Sequence, residues 1–310
     1  MPFPLVTVPA VEINLENRLF KVSRNTVGDR FRDSVRSLGI LDPPLFLREG
    51  RGCVILFGFN RVLAALDAGC REVVARVIDR FDPELFAREC ALKSLREELG
   101  PMGKIRALSI LYENGAGAAA HDELFRRWLG VPSEFTDNRG LLALVDAFPP
   151  DLKDFLDGRD AGFKTIRELA YLGPASLARV ARWTGETAMS LNHIKQLAEM
   201  AHDIERRDGS LGGIDDSAIA AMDDRRERAE TLFREVFRCR YPEYSALRGK
   251  VDGFVRDFRK KGMELDFPRY FEGSSFRITI TVGRDESPGD PGERFGSVPH
   301  EWIRELQKML

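Results

Sequence analysis

Residues 53–69, CVILFGFNRVLAALDAG, constrain this chain more than any other stretch. An unbroken apolar run of strand length meets Gly58, and a helix-forming sequence begins at once. The first N–H groups of a helix have no intrahelical acceptor. A strand-to-helix turn aims them at whatever sits above it, and such a place favours anions such as phosphate. Gly58 lets a ligand approach the backbone closely. Arg61 adds a permanent charge in a fork that suits phosphate oxygens, and Asn60 offers an amide donor. The small Ala64 and Ala65 leave room for helix packing or for a bound group. The same residues also fit a plain tight turn with a solvated arginine, and on their own they leave both readings open.

Around this turn the chain reads as α+β in three segments. Residues 1–80 give β-α-β-β-α-β. An extended stretch over 11–19 is followed by a helix over 30–38 with Phe31, Val35 and Leu38 on one side and Gly39 ending it. Two strands then surround a Gly-containing turn, followed by the helix 61–69 and the β-branched strand EVVARVID. Residues 81–212 are helical throughout, punctuated at Gly100, Phe148 and Gly173 by Gly-Pro and Phe-Pro-Pro junctions. Single helices are predicted over 122–129 and 133–147, and Ser190 is predicted to cap the helix that carries Leu191, Ile194, Leu197, Ala201 and Ile204. Residues 213–310 begin with the charged helix DDRRERAETLFREVFR. A second helix follows with Leu247, Val251, Phe254, Val255 and Phe258 on one face. In SSFRITITVG, Phe276, Ile278, Ile280 and Val282 alternate with polar residues as in a half-buried strand. The stretch 284–297 reads as a mobile Gly/Pro-rich loop, and an apolar-faced helix closes the chain.

Composition removes several classes of function. Lys+Arg 47 against Asp+Glu 49 gives a net charge of -2, so any nucleic-acid contact must come from a local patch. Four scattered cysteines and four dispersed histidines form neither a disulfide framework nor a metal-ligand spacing. There is no signal-peptide pattern at the N-terminus and no apolar run of about 18 residues. The expectation is a cytoplasmic protein with no membrane contact and no metal.

Residues 8–80 resemble the N-terminal domain of the ParB/sulfiredoxin superfamily, partition-protein type. The resemblance rests on Ile13 and Asn14, on DSVRSLGILDPPLFL, and on VILFGFNRVLAALDAG followed by a short strand. In that family the turn holds the triphosphate of CTP, and the nucleotide gates a DNA clamp. The resemblance therefore implies a nucleotide site at Gly58, Phe59, Asn60, Arg61, Ala64 and Ala65, with Arg96 matching the arginine of a downstream box. Two departures bear on chemistry. Phe59 stands where the family has glutamate, and Asn60 where it has its first arginine. In the downstream box Leu92 and Lys93 replace Glu and Asn. Without those acids a divalent ion loses hard oxygen ligands and water loses its base, so Mg²⁺ is not expected and turnover should be slow or absent. Glu89 and Glu97, one helical turn to either side of Lys93, are the nearest replacement acids.

The resemblance continues more weakly through 88–111, similar to the family's linker helices, and through 121–156, similar to its helix-turn-helix. Leu124, Trp128, Gly130 and Val131 fit helix-turn-helix spacing. Asn138 and Arg139 are the candidates for reading base edges. Against them, residues 131–160 hold three basic and seven acidic residues, and acids at a reading helix repel phosphate. The same acids also stabilise a helix start through its dipole. The resemblance implies DNA as a partner and a homodimer formed through the C-terminal segment. The closing strand has two available partners, a second chain or residues 263–267 of its own. Two other classes stay open. A nuclease or nucleotidase of the same superfamily would need clustered carboxylates, and only Asp42, Glu49 and Asp67 lie nearby in sequence. A protein-binding regulator would need neither DNA nor nucleotide. No catalytic residue is assigned.

Overall fold

The computed structural model describes residues 4–22, 28–115, 125–268, 271–285, 287 and 289–310. It is α+β. Strands β1 (Leu5–Pro9), β2 (Ile13–Asn14), β3 (Leu45–Glu49), β4 (Gly52–Phe57) and β5 (Glu72–Ile78) form one sheet in the order β1-β5-β3-β4-β2. The sheet is mixed. The pairs β3–β4 and β1–β5 are antiparallel, while β3–β5 and β2–β4 are parallel. Helix α1 (Asp29–Leu38) connects β2 to β3, and α2 (Phe59–Asp67) connects β4 to β5. Cys53 to Phe57 are all buried, as an uninterrupted apolar strand covered on both faces must be.

The placement of α2 follows from its residues. Phe59 and Val62 pack with Phe46, Cys53, Ile55, Val73 and Ala75 of the sheet. Ala64 and Ala65 instead meet Val35 of α1, with Ile40 packed against both clusters. Phe86 fastens helix α3 (Pro83–Leu95) to this body. Its ring lies 4.9 Å from that of Phe57 and 5.5 Å from that of Phe81, and Phe81 stacks on Phe20 at 5.1 Å.

Helix α4 (Pro101–Glu113) and those after it reveal how Gly-Pro junctions start helices here. Gly100 has no side chain to cap with, so the cap comes from elsewhere in the fold. Asp157, buried in helix Pro150–Gly158, accepts the Met102 N–H at 2.8 Å. A Cβ on residue 100 would lie 2.3 Å from Asp157 Oδ1, so only glycine admits the carboxylate. The same device recurs at helix Pro174–Glu186. There Glu205 accepts the Gly173 N–H at 2.9 Å and the Ser176 hydroxyl at 2.7 Å.

Four local expectations are corrected. Of residues 11–19 only Ile13–Asn14 are strand: Ala10–Glu12 is a 3-10 turn, and after it the Asn14 side-chain oxygen accepts the Glu16 and Asn17 N–H groups and turns the chain. Strand β1 precedes that turn and was not foreseen. The single helix over 133–147 is two, Ser133–Thr136 and Arg139–Asp146, because Asn138 restarts the helix by accepting the Leu141 N–H at 3.0 Å. The expected loop contains a helix, Asp290–Gly296. Of the helix expected over 122–129, residues 122–124 lie outside the described residues, and Phe125–Leu129 is a π-helical turn. Ser190 caps helix Leu191–Asp208 as expected, accepting the His193 N–H at 3.2 Å.

The chain divides into two compact units, Met1–Phe233 and Arg234–Leu310. In the second, β6 (Met263–Asp266) pairs antiparallel with β7 (Arg277–Ile280), so the closing strand finds its partner within its own chain. Val251 and Phe258 of helix Pro242–Lys260 pack with Met263, Leu265 and Leu306 in the core of this unit, where Phe254 and Phe258 also meet Trp302 of helix His300–Lys308. Among the described residues no helix is long and apolar enough to cross a membrane.

Candidate functional site

Gly58 ends β4 and caps α2 with φ 91° and ψ 19°, a left-handed conformation open to glycine at little cost. Its carbonyl accepts the Val62 N–H at 3.0 Å. A Cβ here would lie 2.7 Å from the Cβ of Pro44, so glycine is required by space as well as by conformation. No side chain caps α2, and a helix start without a cap leaves its first N–H groups available. A cavity of about 520 Å³ opens over this turn.

Besides the turn itself, Leu56 and Phe57 of β4 and Phe31 of α1, the cavity walls come from three places. Phe20, Lys21 and Val22 approach from the segment after β2; Asp42 lies before β3; Lys93, Arg96, Glu97, Glu98 and Leu99 come from the end of α3. That end is a Schellman motif, with the Glu98 N–H bonded to the Lys93 carbonyl at 2.9 Å and the Glu97 N–H to that of Ser94 at 3.0 Å. Glu97 occupies the left-handed position usually held by glycine, at φ 58°. A non-glycine residue there is strained, and this strained residue lies in the cavity wall.

The charges lining the cavity are Lys21, Arg61, Lys93 and Arg96 against Asp42, Glu97 and Glu98. Most are matched within the fold. Arg61 is only 17% exposed, and its Nη1 donates to Asp42 Oδ2 at 2.6 Å and to the Asp42 carbonyl. Lys93 pairs with Glu98 at 2.8 Å. Burial, and then the neighbouring Arg18, lowers the pKa of Lys21, whose ammonium lies 4.8 Å from the Phe59 ring centroid.

The structure brings Gly58, Phe59, Asn60, Arg61 and Arg96 to one cavity. It does not bring Ala64 and Ala65, which sit against Val35 of α1. Of the two replacement acids, Glu97 lines the cavity, whereas Glu89 is held by Arg76 at 3.2 Å. Phe59 is 4% exposed and belongs to the sheet core, with the cations of Lys21 and Arg18 over its ring. Counting acids by sequence distance from Gly58 found Asp42 and missed Glu98, as well as the cation Lys21. Their signals were a helix end without glycine and a polar segment after β2, neither of which reads as a site.

In the helix-turn-helix-like region Gly130 turns at φ 64° and Val131 is buried, but Trp128 is 45% exposed with the Arg127 guanidinium 5.4 Å from its ring centroid. Leu124 lies outside the described residues. Asn138 and Arg139 are both exposed; the Asn138 oxygen is used as a helix cap and the Arg139 guanidinium lies 4.7 Å from the Tyr112 ring centroid. At least four of the seven acids in the local count are engaged within the fold, Asp146 by Arg106 at 3.4 Å. Arg167 holds Glu134 at 2.5 Å, Arg126 holds Asp137 at 3.0 Å, and Asp157 caps α4.

No protein-family model matches the chain. Over 142 residues, 46% of its length, it is 32% identical to the chromosome-partitioning protein Spo0J of Thermus thermophilus, of which the match covers 50%. Over 90 residues, 29% of its length, it is 31% identical to a protein of the same organism described as "Probable plasmid-partitioning protein ParB", of which the match covers 30%. The chain thus spans half or less of the length of these curated relatives. Two solved structures are also similar, both of the C-terminally truncated chromosome-partitioning protein ParB from Caulobacter crescentus. The complex with the centromeric parS site covers 63% of this chain and 100% of that one at 16% identity and a TM-score of 0.31. The complex with CTP-gamma-S covers 59% and 99% at 17% identity and 0.26.

Proposed function

We propose that this chain, ParB-like by its similarity to the two partition proteins, is a DNA-associated protein whose turn at residues 58–61 holds the phosphates of a nucleotide, with CTP the candidate and little or no hydrolysis. The observation that carries the reading is the cavity over Gly58. It joins an uncapped helix start to Lys21, Arg61, Lys93 and Arg96, and helix starts and cations are the two features that bind phosphate from a protein surface. The residues present fit a phosphate chain. They fit a divalent ion poorly. The two family positions for acids are Phe59, buried in the core, and Leu92, and two of the cavity's own acids are engaged by Arg61 and Lys93. What these residues do is therefore bind and orient: Arg61 and Arg96 attract the phosphates and Gly58 admits them to the backbone, which leaves Glu97 as the lining acid to test as a base.

For DNA, the supporting features are the exposed Arg127 and Arg139, together with Glu134 and Asp137 already matched by Arg167 and Arg126. An electrophoretic shift series over a salt gradient, with random and partition-type DNA, tests this. Binding that falls steeply with salt is expected. Its absence at low salt would favour the protein-binding regulator.

For assembly, we keep the homodimer through the C-terminal unit. Its small core leaves Phe276, Ile278, Ile280, Trp302 and Ile303 only half-buried, more apolar face than a two-stranded hairpin with few helices covers. Light scattering that finds a monomer at micromolar concentration contradicts it.

A further inference from the structure

Arg61, the main cation of the cavity, is not waiting open. One nitrogen of its guanidinium is gripped by both the carboxylate and the backbone carbonyl of Asp42. Arg61 is mostly buried while Asp42 is 58% exposed, so Asp42 is the partner free to move. At the end of α3 Glu98 pairs with Lys93 at 2.8 Å. Arg96 is the cavity-lining arginine with no ion-pair partner among the described residues. Any anion entering the cavity therefore meets Arg96, Lys21 lodged over the Phe59 ring, and two cations already paired with tethered carboxylates. It must compete with those carboxylates for charge-assisted hydrogen bonds of the same kind.

We infer that Asp42 sets the affinity threshold of this cavity, as a tethered anion on Arg61 that an entering phosphate group must displace. The inference rests on the phosphate reading of the same site. Displacing Asp42 carries the same fixed cost for every ligand. A triphosphate recovers that cost through contacts with more than one cation, whereas a monophosphate has one group with which to recover it. The cost thus sets a floor below which weakly charged ligands do not bind measurably.

The test is calorimetric titration of the full chain with CTP, inorganic pyrophosphate and CMP, using wild type, Asp42→Asn and Asp42→Ser. Asparagine keeps the shape and the oxygen facing Arg61 but removes the charge; serine removes both, and the exposure of Asp42 makes either change compatible with folding, which a thermal melt checks. Wild type is expected to bind CTP and pyrophosphate more tightly than CMP. Both variants should bind the three ligands about tenfold more tightly, the loss of one competing charge-assisted bond. Binding by the variants that is unchanged or weaker would overturn the inference while leaving the phosphate site standing, because Asp42 would then be orienting Arg61 for the ligand. If neither wild type nor either variant binds any of the three, the site reading fails and the inference fails with it.

Discussion

Replacing Asp157 by alanine should loosen the start of α4 and with it one wall of the cavity. The carboxylate is buried, accepts the Met102 N–H at 2.8 Å, and lies against the bare Cα of Gly100. Loss of a helix cap costs about 1 kcal/mol, with ~2 at the upper end. A hydrogen bond to a charged group contributes about 1.5–3 kcal/mol, and its removal here leaves a buried N–H unpaired. We therefore expect Asp157→Ala to destabilise the chain by about 2–3 kcal/mol. For a unit of this size that corresponds to a fall of about 5–10 °C in Tm. Asp157→Asn keeps the acceptor and the shape and should lose less. Thermal and urea unfolding measure the loss. Hydrogen exchange should speed up at the amides of residues 101–104, next to Leu99 in the cavity wall. A change within about 0.5 kcal/mol, the range of ordinary surface substitutions, would refute the reasoning, because it would mean that α4 does not depend on a cap borrowed from another helix.

Three further outcomes are expected. Gly58→Ala forces a left-handed alanine costing about 1–2 kcal/mol and a contact 2.7 Å from Pro44 Cβ; a variant as stable as wild type by urea unfolding would contradict the turn geometry. Asp224 has its pKa lowered by the Glu227 and then the Arg226 N–H groups, so its cap on helix Arg225–Arg240 is present at neutral pH and lost as pH falls through the depressed value. Wild type should accordingly exceed Asp224→Ala in Tm at pH 6 and converge with it below the usual carboxylate range, and a difference independent of pH would show that the charge is not involved. Phosphate release from CTP with Mg²⁺, with and without DNA, should stay near background, and turnover lost on Glu97→Gln would identify that residue as an acting acid.

Elements whose residues carry the whole signal were legible in the sequence. The apolar run into Gly58, the helix closed by Gly39 and the Ser190 cap needed only neighbours in the chain. What was not legible depends on partners far away in sequence. Gly100 and Gly173 read as junctions ahead of helices, but no local residue shows what completes those helix starts; Asp157 and Glu205, tens of residues downstream, do. The acids of residues 131–160 read as a repulsive surface, while Arg126 and Arg167 neutralise two of them in the folded chain. At the cavity the sequence placed the Gly58 turn and Arg96 together through a resemblance, but the assignment of Ala64 and Ala65 to its lining did not follow. Alanines on a nine-residue helix can face either way, and here α1 takes them. Lys21 and Glu98 reach the cavity through a segment after β2 and a Schellman turn built on glutamate, and no local pattern announces either.

The claim that the turn at Gly58 holds a phosphate group through Arg61 is tested most directly by calorimetric titration of wild type and Arg61→Ala with CTP, ATP and GTP. The account predicts binding by wild type to at least one of these, CTP foremost. It also predicts that Arg61→Ala weakens that binding about ten- to a hundredfold, the loss of one charge-assisted hydrogen bond of roughly 1.5–3 kcal/mol. Wild type giving no heat with any of the three, or Arg61→Ala binding equally well, would contradict it.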